Sequence, residues 1–261
     1  MRIRTIALLI LSALPSCLVA QFSVHLTAPN EEVLQFEAMP VDLTIQNETG
    51  SAIEFGKYHP HAKVQFVIRR SRDRFLSKRN ESLFVSSWSV ASQKESTRRI
   101  DMSRFFDVRP VGRYFVRAKV EWRGKAYRSR EAIIDVVNGM ELLTRDRELP
   151  ESPSIVRTYS LRYWARGDTE MLFLCVYDAK ERRSYGVFEL GRIVRVFKPR
   201  IEFDPLGNIR IMHLVARDVI AHTYFIATPT GVRFIDQALR NPKGEPIETG
   251  TIEPRFSIGG E

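Results

Sequence analysis

The densest group of side chains that could bind a ligand is the basic run at positions 69–79, RRSRDRFLSKR. A guanidinium can hold a carboxylate or a phosphate through two parallel hydrogen bonds, which suits anionic polysaccharide, lipid headgroups or an acidic protein. The same charges can instead keep an exposed edge strand from pairing with another chain. We predict a ligand-binding surface, with its arginines dominating any salt-sensitive binding, at Arg69, Arg70, Arg72, Arg74, Lys78 and Arg79.

Catalytic patterns are not found in the sequence. An acyl-transfer enzyme needs a nucleophile beside a base, often in a G-x-S-x-G turn, and that motif does not occur. His213 and His222 can face each other across a hairpin or can pack as ordinary sheet residues. His59 and His61 have no evident Cys or acidic partners for zinc. We predict no catalytic residue, no metal site and no cofactor. Whether the chain is an enzyme stays open, although the sequence favours a protein that is not one.

Two further motifs have ordinary structural explanations. Cys175 lies in the apolar run MLFLCVYD without a nearby base, which favours inert core packing over a nucleophile. The tripeptide RGD at 166–168 is typical of a hairpin turn as well as of an adhesion site. Neither motif predicts a chemical activity.

Charge and composition narrow the classes of partner. The chain has 261 residues, 44% of them hydrophobic, and a formal net charge of +9, as in a basic globular protein. Such a charge favours anionic polymers, lipid headgroups or acidic proteins as partners. Phosphate-loop and nucleic-acid motifs are missing, so we expect no nucleic-acid partner.

The first twenty residues resemble a secretory signal. Arg2 and Arg4 precede the apolar run IALLILSAL, which is too short to span a bilayer. Cleavage after Ala20 gives a freely secreted or periplasmic protein, whereas lipidation of Cys17 within LPSC gives an outer-membrane lipoprotein. We expect an exported protein with no later membrane span.

Alternating apolar and polar residues predict strands throughout the first half. The segments PVDLTIQN, AKVQFVIRR, VGRYFVRAKVEW and AIIDVV each place apolar side chains on one face, and turn sequences separate them. In VGRYFVRAKVEW the charged face is mixed in sign and is interpreted as scaffold. The segment DMSRFFD predicts a short helical turn that Asp101 caps and Pro110 ends.

These first-half motifs resemble an immunoglobulin-like domain of exported bacterial proteins. The resemblance rests on VDLTIQNETGSAIEFG, DVRPVGRYFVRAKVEW and AIIDVVNG, and it implies a β-sandwich over residues 21–138 with a buried Tyr114. The early part is also similar to a bacterial proteinase-inhibitor sandwich, although no inhibitory residue can be carried over.

The second half predicts a different β architecture. Charge and two prolines indicate a linker at 139–154, hairpin sequences indicate an antiparallel β-meander at 155–240, and composition indicates an extended or disordered tail at 241–261. Turns like those of propeller blades recur in this half, but it has room for only about two blades, too few to close a propeller. An open meander or a small sandwich packed on the first domain therefore fits the sequence better. VFELGRIVRVFKPRIEFDPLGNIRIMH resembles exported two-domain β proteins of the Verrucomicrobia, a resemblance that implies no activity.

The sequence therefore predicts an all-β, two-domain exported protein. Its expected function is a non-enzymatic binding or structural role in the bacterial cell envelope, in contact with a protein or an anionic polymer. Two alternatives are a hydrolase of envelope or extracellular polymer and a proteinase inhibitor.

Overall fold

The computed structural model describes residues 22–56, 62–71, 74–78, 88–150, 152–178, 180, 183–247 and 256–257. Regular structure in these residues is almost entirely β-strand in several antiparallel sheets, which confirms the predicted all-β class. The segment 1–20, with Cys17 and the predicted cleavage site, lies outside the described residues. Within the described ranges, no helix has the length and apolar character needed to cross a membrane.

Strands of the first half form two main sheets. Sheet I has the order β1, β3, β8, and sheet II has the order β2, β11, β9, β5, β6 with β10 also paired to β9; β4 and β7 form a small pair. The strands are β1 (Phe22–Thr27), β2 (Glu32–Leu34), β3 (Pro40–Asn47), β4 (Ile53–Phe55), β5 (Ala62–Arg70), β6 (Arg74–Phe75), β7 (Trp88–Val90), β8 (Lys94–Asp101), β9 (Gly112–Trp122), β10 (Lys125–Arg128) and β11 (Ala132–Val137).

Strands of the second half form two meanders. Sheet III has the order β12, β13, β14, β15, β20, and sheet IV has the order β16, β17, β18, β19. The strands are β12 (Met140–Leu149), β13 (Ser152–Arg166), β14 (Thr169–Asp178), β15 (Arg183–Arg192), β16 (Arg200–Phe203), β17 (Ile209–Ala216), β18 (Val219–Thr228), β19 (Gly231–Arg240) and β20 (Phe256–Ser257).

Period-two alternation builds the core of the first half. In β9 every second side chain from Tyr114 to Trp122 is buried, and β3, β5 and β11 alternate in the same way. The inward faces of sheets I and II contribute to one apolar cluster. The two sheets therefore enclose a shared core, as in a β-sandwich; the immunoglobulin-like arrangement stays a prediction.

Two local predictions in this half are confirmed. Asp101 caps a single 3-10 turn, Met102–Arg104, because its carboxylate accepts a hydrogen bond from the Ser103 backbone N–H at 3.0 Å. The turn ends at Arg104, so Pro110 is not what ends it. Tyr114 is fully buried, and its hydroxyl donates to the Pro110 carbonyl oxygen at 2.5 Å. A tyrosine bonded to backbone a few residues upstream also occurs in immunoglobulin-type sandwiches. Burial raises the pKa of Tyr114 to about 12.

The segment predicted as a linker, 139–154, contains regular structure instead. Its residues form β12 and the start of β13, and β12 pairs with β13 along nearly its whole length. Most side chains of β12 are exposed or half-buried, because the strand lies at the edge of sheet III. In the predicted tail, Ile247 donates its backbone N–H to Leu239, and β20 pairs with β15.

Sheet III is buried on both faces at its centre. On one face Leu172, Leu174 and Val176 of β14 join a cluster with residues of sheet IV. On the other face Phe173 and Cys175 pack against Leu34 from the first half. This double burial explains why MLFLCVYD reads as a continuous apolar run. Cys175 is fully buried, and desolvation raises the pKa of its thiol to about 12, which supports the core-packing interpretation.

Polar contacts reinforce the junction between the two halves. The guanidinium of Arg162, which is almost fully buried, donates to the side-chain oxygen of Asn138 at 2.6 Å and to Gln35 at 3.3 Å. The ring of Phe36 stacks on Tyr177 with ring centroids 4.6 Å apart. The junction therefore combines a packed apolar layer with directional hydrogen bonds.

Gly139 is required by this junction. Its φ is +63°, and a Cβ there would lie 3.0 Å from Leu34 Cδ2 and 3.1 Å from the Tyr163 carbonyl oxygen. We predict that Gly139→Ala lowers the free energy of unfolding by roughly 2–4 kcal/mol, combining left-handed backbone strain with overpacking. Urea denaturation measures the change.

Gly167→Ala is the matched control. Gly167 has φ +62°, but no atom lies within 4 Å of its would-be Cβ. The control should lose only the backbone contribution, roughly 1–2 kcal/mol. Equal losses in the two variants would show that the close approach at Gly139 does not matter.

Candidate functional site

The structure uses the start of the predicted basic run for internal contacts. Arg69 Nη2 lies 3.0 Å from Glu131 Oε2, and its guanidinium carbon lies 4.2 Å from the ring centroid of Phe115. Arg70 Nη2 donates to the Val111 carbonyl oxygen at 2.7 Å. The hydrogen bond from Arg69 lowers the pKa of Glu131. These two arginines hold β5 to neighbouring strands and loops, so a ligand would have to compete with those contacts.

The rest of the basic run is only partly described. Arg74 lies in the short edge strand β6 with its side chain exposed, next to Phe75. Lys78 forms an isolated β-bridge with Phe106. Arg72 and Arg79 lie outside the described residues. Within the predicted set, the exposed side chain of Arg74 at the edge of sheet II is well placed for an external ligand.

The outer face of sheet II balances its own charges. Arg113 forms two hydrogen bonds with Asp135, at 2.9 and 2.7 Å, and Lys119 pairs with Glu121. The hydrogen bond from Arg113 lowers the pKa of Asp135. Because partners on the same or the neighbouring strand neutralise these groups, the geometry supports the interpretation of this face as scaffold.

His213 and His222 lie on opposite faces of sheet IV, so they do not face each other. Across the β17–β18 hairpin, His213 is opposite Ala221, and His222 is opposite Met212. His213 points into the core and is 3% exposed, whereas His222 is half-buried on the outer face. Burial lowers the pKa of His213 to about 4. The second pair, His59 and His61, lies outside the described residues.

An open cleft on sheet IV is the best candidate for a binding site. Its volume is about 630 Å³. Apolar residues of the sheet that are not fully buried, including Ile226 and Ile235, line it together with polar side chains from all four strands. The polar residues lining the cleft are Glu202, Asp204, Asn208, Arg210, Tyr224 and Asp236.

Four of these polar residues form a row across the sheet. In the strand register, Glu202 is opposite Arg210, Arg210 is opposite Tyr224, and Tyr224 is opposite Asp236. Arg210 donates hydrogen bonds to the carboxylate of Glu202, and its hydrogen bonds with Glu202 and then Tyr224 raise the pKa of its guanidinium. Three of the four members are therefore fixed by one another.

The fourth member, Asp236, is left available. A β-bulge shifts the register so that Phe225 is opposite Phe234 while Tyr224 is opposite Asp236, which leaves Ile235 as the extra residue. Asp236 is exposed, and within the described part of the chain it has no hydrogen-bond or ion-pair partner. The bulge thus places an unused acceptor beside the Tyr224 ring.

The cleft has the chemistry of a binding site. Asp204 accepts hydrogen bonds from the backbone N–H and side-chain amide of Asn208, both at 2.8 Å, which closes the β16–β17 turn. The Asn208 side chain lowers the pKa of Asp204, so this carboxylate stays ionised. Among the described residues, no three His, Cys, Asp or Glu side chains are grouped so as to hold a metal ion.

The residues of this cleft carry no motif that predicts a binding site. Glu202, Arg210 and Tyr224 occupy outward positions of alternating strands, which is the one signal available in the sequence. Their alignment depends on the register of two hairpins, and the position of Asp236 beside them depends on a third hairpin and on the bulge at Ile235. The RGD tripeptide lies at the β13–β14 turn, as predicted for turn chemistry.

Comparison with known proteins adds no assignment. No protein-family model matches the chain, and no curated protein matches it significantly. Functional inference therefore depends on the geometry described above.

The contacts of Arg69 predict an effect on stability. Arg69→Ala should lower the free energy of unfolding by about 1–2 kcal/mol, because it removes both the ion pair and the contact with Phe115. Arg74→Ala should change it by less than about 0.5 kcal/mol. Urea denaturation of both variants measures the difference, and a double-mutant cycle between Arg69 and Glu131 isolates the contribution of the ion pair. Equal losses of stability in Arg69→Ala and Arg74→Ala would contradict the internal function of Arg69.

The burial of His213 predicts acid sensitivity. The pKa is about 4 in the folded chain and about 6.5 when unfolded, so the unfolded state binds the extra proton between these values. Stability should therefore fall by about 3 kcal/mol as the pH drops from about 6.5 to about 4. Urea denaturation at a series of pH values tests this.

His213→Leu should flatten that part of the pH profile, because it removes the group that titrates. His25→Ala changes an exposed histidine and should leave the acid-induced loss intact. A steep loss that persists in His213→Leu would assign the acid sensitivity to other groups.

Proposed function

We propose that the protein is an exported, non-enzymatic binding protein of the bacterial cell envelope that holds a hydroxyl-rich polymer in the cleft of sheet IV. The observation that carries this proposal is the cross-strand row ending at the unpartnered Asp236. A polar row on a rigid sheet, beside an aromatic ring, suits a ligand that has both hydroxyl groups and apolar C–H faces.

The row supplies complementary groups for a saccharide. Asp236 can accept hydrogen bonds from two hydroxyls, and Tyr224 and Arg210 carry donors. The Tyr224 ring offers a flat apolar surface for the C–H face of a sugar. Because Glu202 and Tyr224 already hold Arg210, binding would order few new side chains, which lowers its entropic cost.

Charge makes a neutral polymer the better ligand for this cleft. Three carboxylates line it against one guanidinium, so an anionic chain would meet repulsion there. The anionic polymer predicted from the net charge would instead need exposed cations elsewhere, such as Arg74. Contact with an acidic protein through those cations remains a compatible proposal.

The protonation states in the cleft favour binding over hydrolysis. A polysaccharide hydrolase needs a carboxylic acid whose raised pKa lets it donate a proton. The pKa of Asp204 is lowered instead, and Glu202 is committed to Arg210. These features support a site that holds its ligand without cleaving it.

The proposed location follows from the N-terminal sequence. The segment 1–20 has the charge and apolar run of a secretory signal, and an exported chain meets envelope polysaccharide directly. Attachment through a lipid at Cys17 would place the same cleft at the outer membrane.

The test is native affinity electrophoresis in gels that contain either the neutral or the acidic polysaccharide fraction of the cell envelope. We expect the neutral fraction to retard the protein at low and at high salt. Asp236→Asn and Tyr224→Ala should each weaken retardation about tenfold, equivalent to about 1.4 kcal/mol.

Asp218→Asn is the control for these variants. Asp218 is an exposed carboxylate on the β17–β18 turn of the same sheet, and it does not line the cleft. Its substitution should leave retardation unchanged. Retardation by the acidic fraction alone, abolished by salt and unaffected by the cleft variants, would overturn the proposal in favour of electrostatic attachment.

A further inference from the structure

The loop between β15 and β16 presents two large apolar side chains to solvent. Val196 is 73% exposed and Phe197 is 69% exposed, and we call this pair the apolar tip. Both ends of the loop are anchored, because Ile193 and Pro199 are buried. The Val194 N–H also donates to the Leu214 carbonyl oxygen at 2.8 Å. The apolar tip is therefore held outward by a fixed base.

Cationic side chains surround the apolar tip. Lys198 and Arg200 follow it in the chain, and Arg192 precedes the loop; all three are exposed. The acidic group that contacts the loop, Glu170, is already bonded to Arg195 at 2.9 Å and to the Tyr163 hydroxyl at 2.6 Å. The ion pair with Arg195 offsets the charge of Glu170, so the surface beside the tip keeps a net positive charge.

We propose that the apolar tip inserts into the interface of an anionic lipid membrane, with Lys198 and Arg200 contacting its headgroups. An apolar group flanked by cations matches both layers of such a surface: the acyl boundary receives the apolar side chains, and the headgroups attract the cations. The proposal does not depend on the cleft of sheet IV.

A lipid surface fits this feature better than a protein or a polysaccharide. Two exposed apolar residues are too few for the apolar centre of a stable protein interface, which buries about 800 Å² on each partner. A polysaccharide needs hydrogen-bonding groups beside an aromatic ring, and the two side chains of the apolar tip, Val196 and Phe197, supply none. Shallow insertion into a membrane buries both side chains without needing a complementary pocket.

The experiment measures insertion locally in the full chain. Phe197→Trp adds a tryptophan at the tip, and vesicles of phosphatidylethanolamine and phosphatidylglycerol carry bromine-labelled acyl chains that quench a tryptophan inserted among them. We expect the emission of the added tryptophan to be quenched by these vesicles. Phosphatidylcholine vesicles with the same bromine label should leave that emission unchanged. Adding Lys198→Glu and Arg200→Glu should weaken the apparent partitioning on the order of twentyfold.

Leu206→Trp is the matched control, because Leu206 is 72% exposed on the β16–β17 turn beside Asp204. Its emission should remain unquenched even if another part of the chain attaches to the vesicles. Unquenched Phe197→Trp, or equal quenching in both variants, would overturn the proposal. Protection of the tip by an envelope protein while vesicles leave it unquenched would overturn it in favour of a protein partner.

Discussion

The structure depends on the double burial of β14, which has no face left for water along its central residues. Leu172 and Leu174 need the cover of sheet IV, and Phe173 and Cys175 need the cover of Leu34 and its neighbours. Each large apolar side chain of this kind gains about 1.5–3 kcal/mol from burial. Removing either cover would therefore expose a continuous apolar surface.

The same constraint explains the polar groups at the junction. Arg162 lies in sheet III where the first half covers it, so its guanidinium loses water and must find protein acceptors. Asn138, directly after the last strand of sheet II, supplies two of them, with its carbonyl and side-chain oxygens. Gly139 follows in a left-handed conformation that lets the chain pass close to Leu34. Packing thus dictates residue type over this short connection.

The sequence predicts elements whose side chains carry a periodic signal. The alternation in β9, the Asp101 cap and the apolar run of β14 each reflect local chemistry, and each is found in the structure. Strand β12 was not predicted because it lies at a sheet edge. Backbone hydrogen bonds hold it there, and most of its side chains are exposed or half-buried. A charged, half-exposed strand and a charged linker have similar sequences, and only the pairing partner distinguishes them.

The candidate sites show why a count of charges could not locate function. Arg69 lies in the most basic segment, yet its partner Glu131 is 62 residues away in sequence and only the folded sheet brings them together. Asp236 lies in no conspicuous motif, yet a one-residue bulge gives it an aromatic neighbour and leaves its carboxylate unused. A charge that must exchange its partner in the sheet for a ligand gains little from binding, whereas an unpaired charge gives up only water. Binding should therefore follow the groups that folding leaves without partners, wherever the net charge is concentrated.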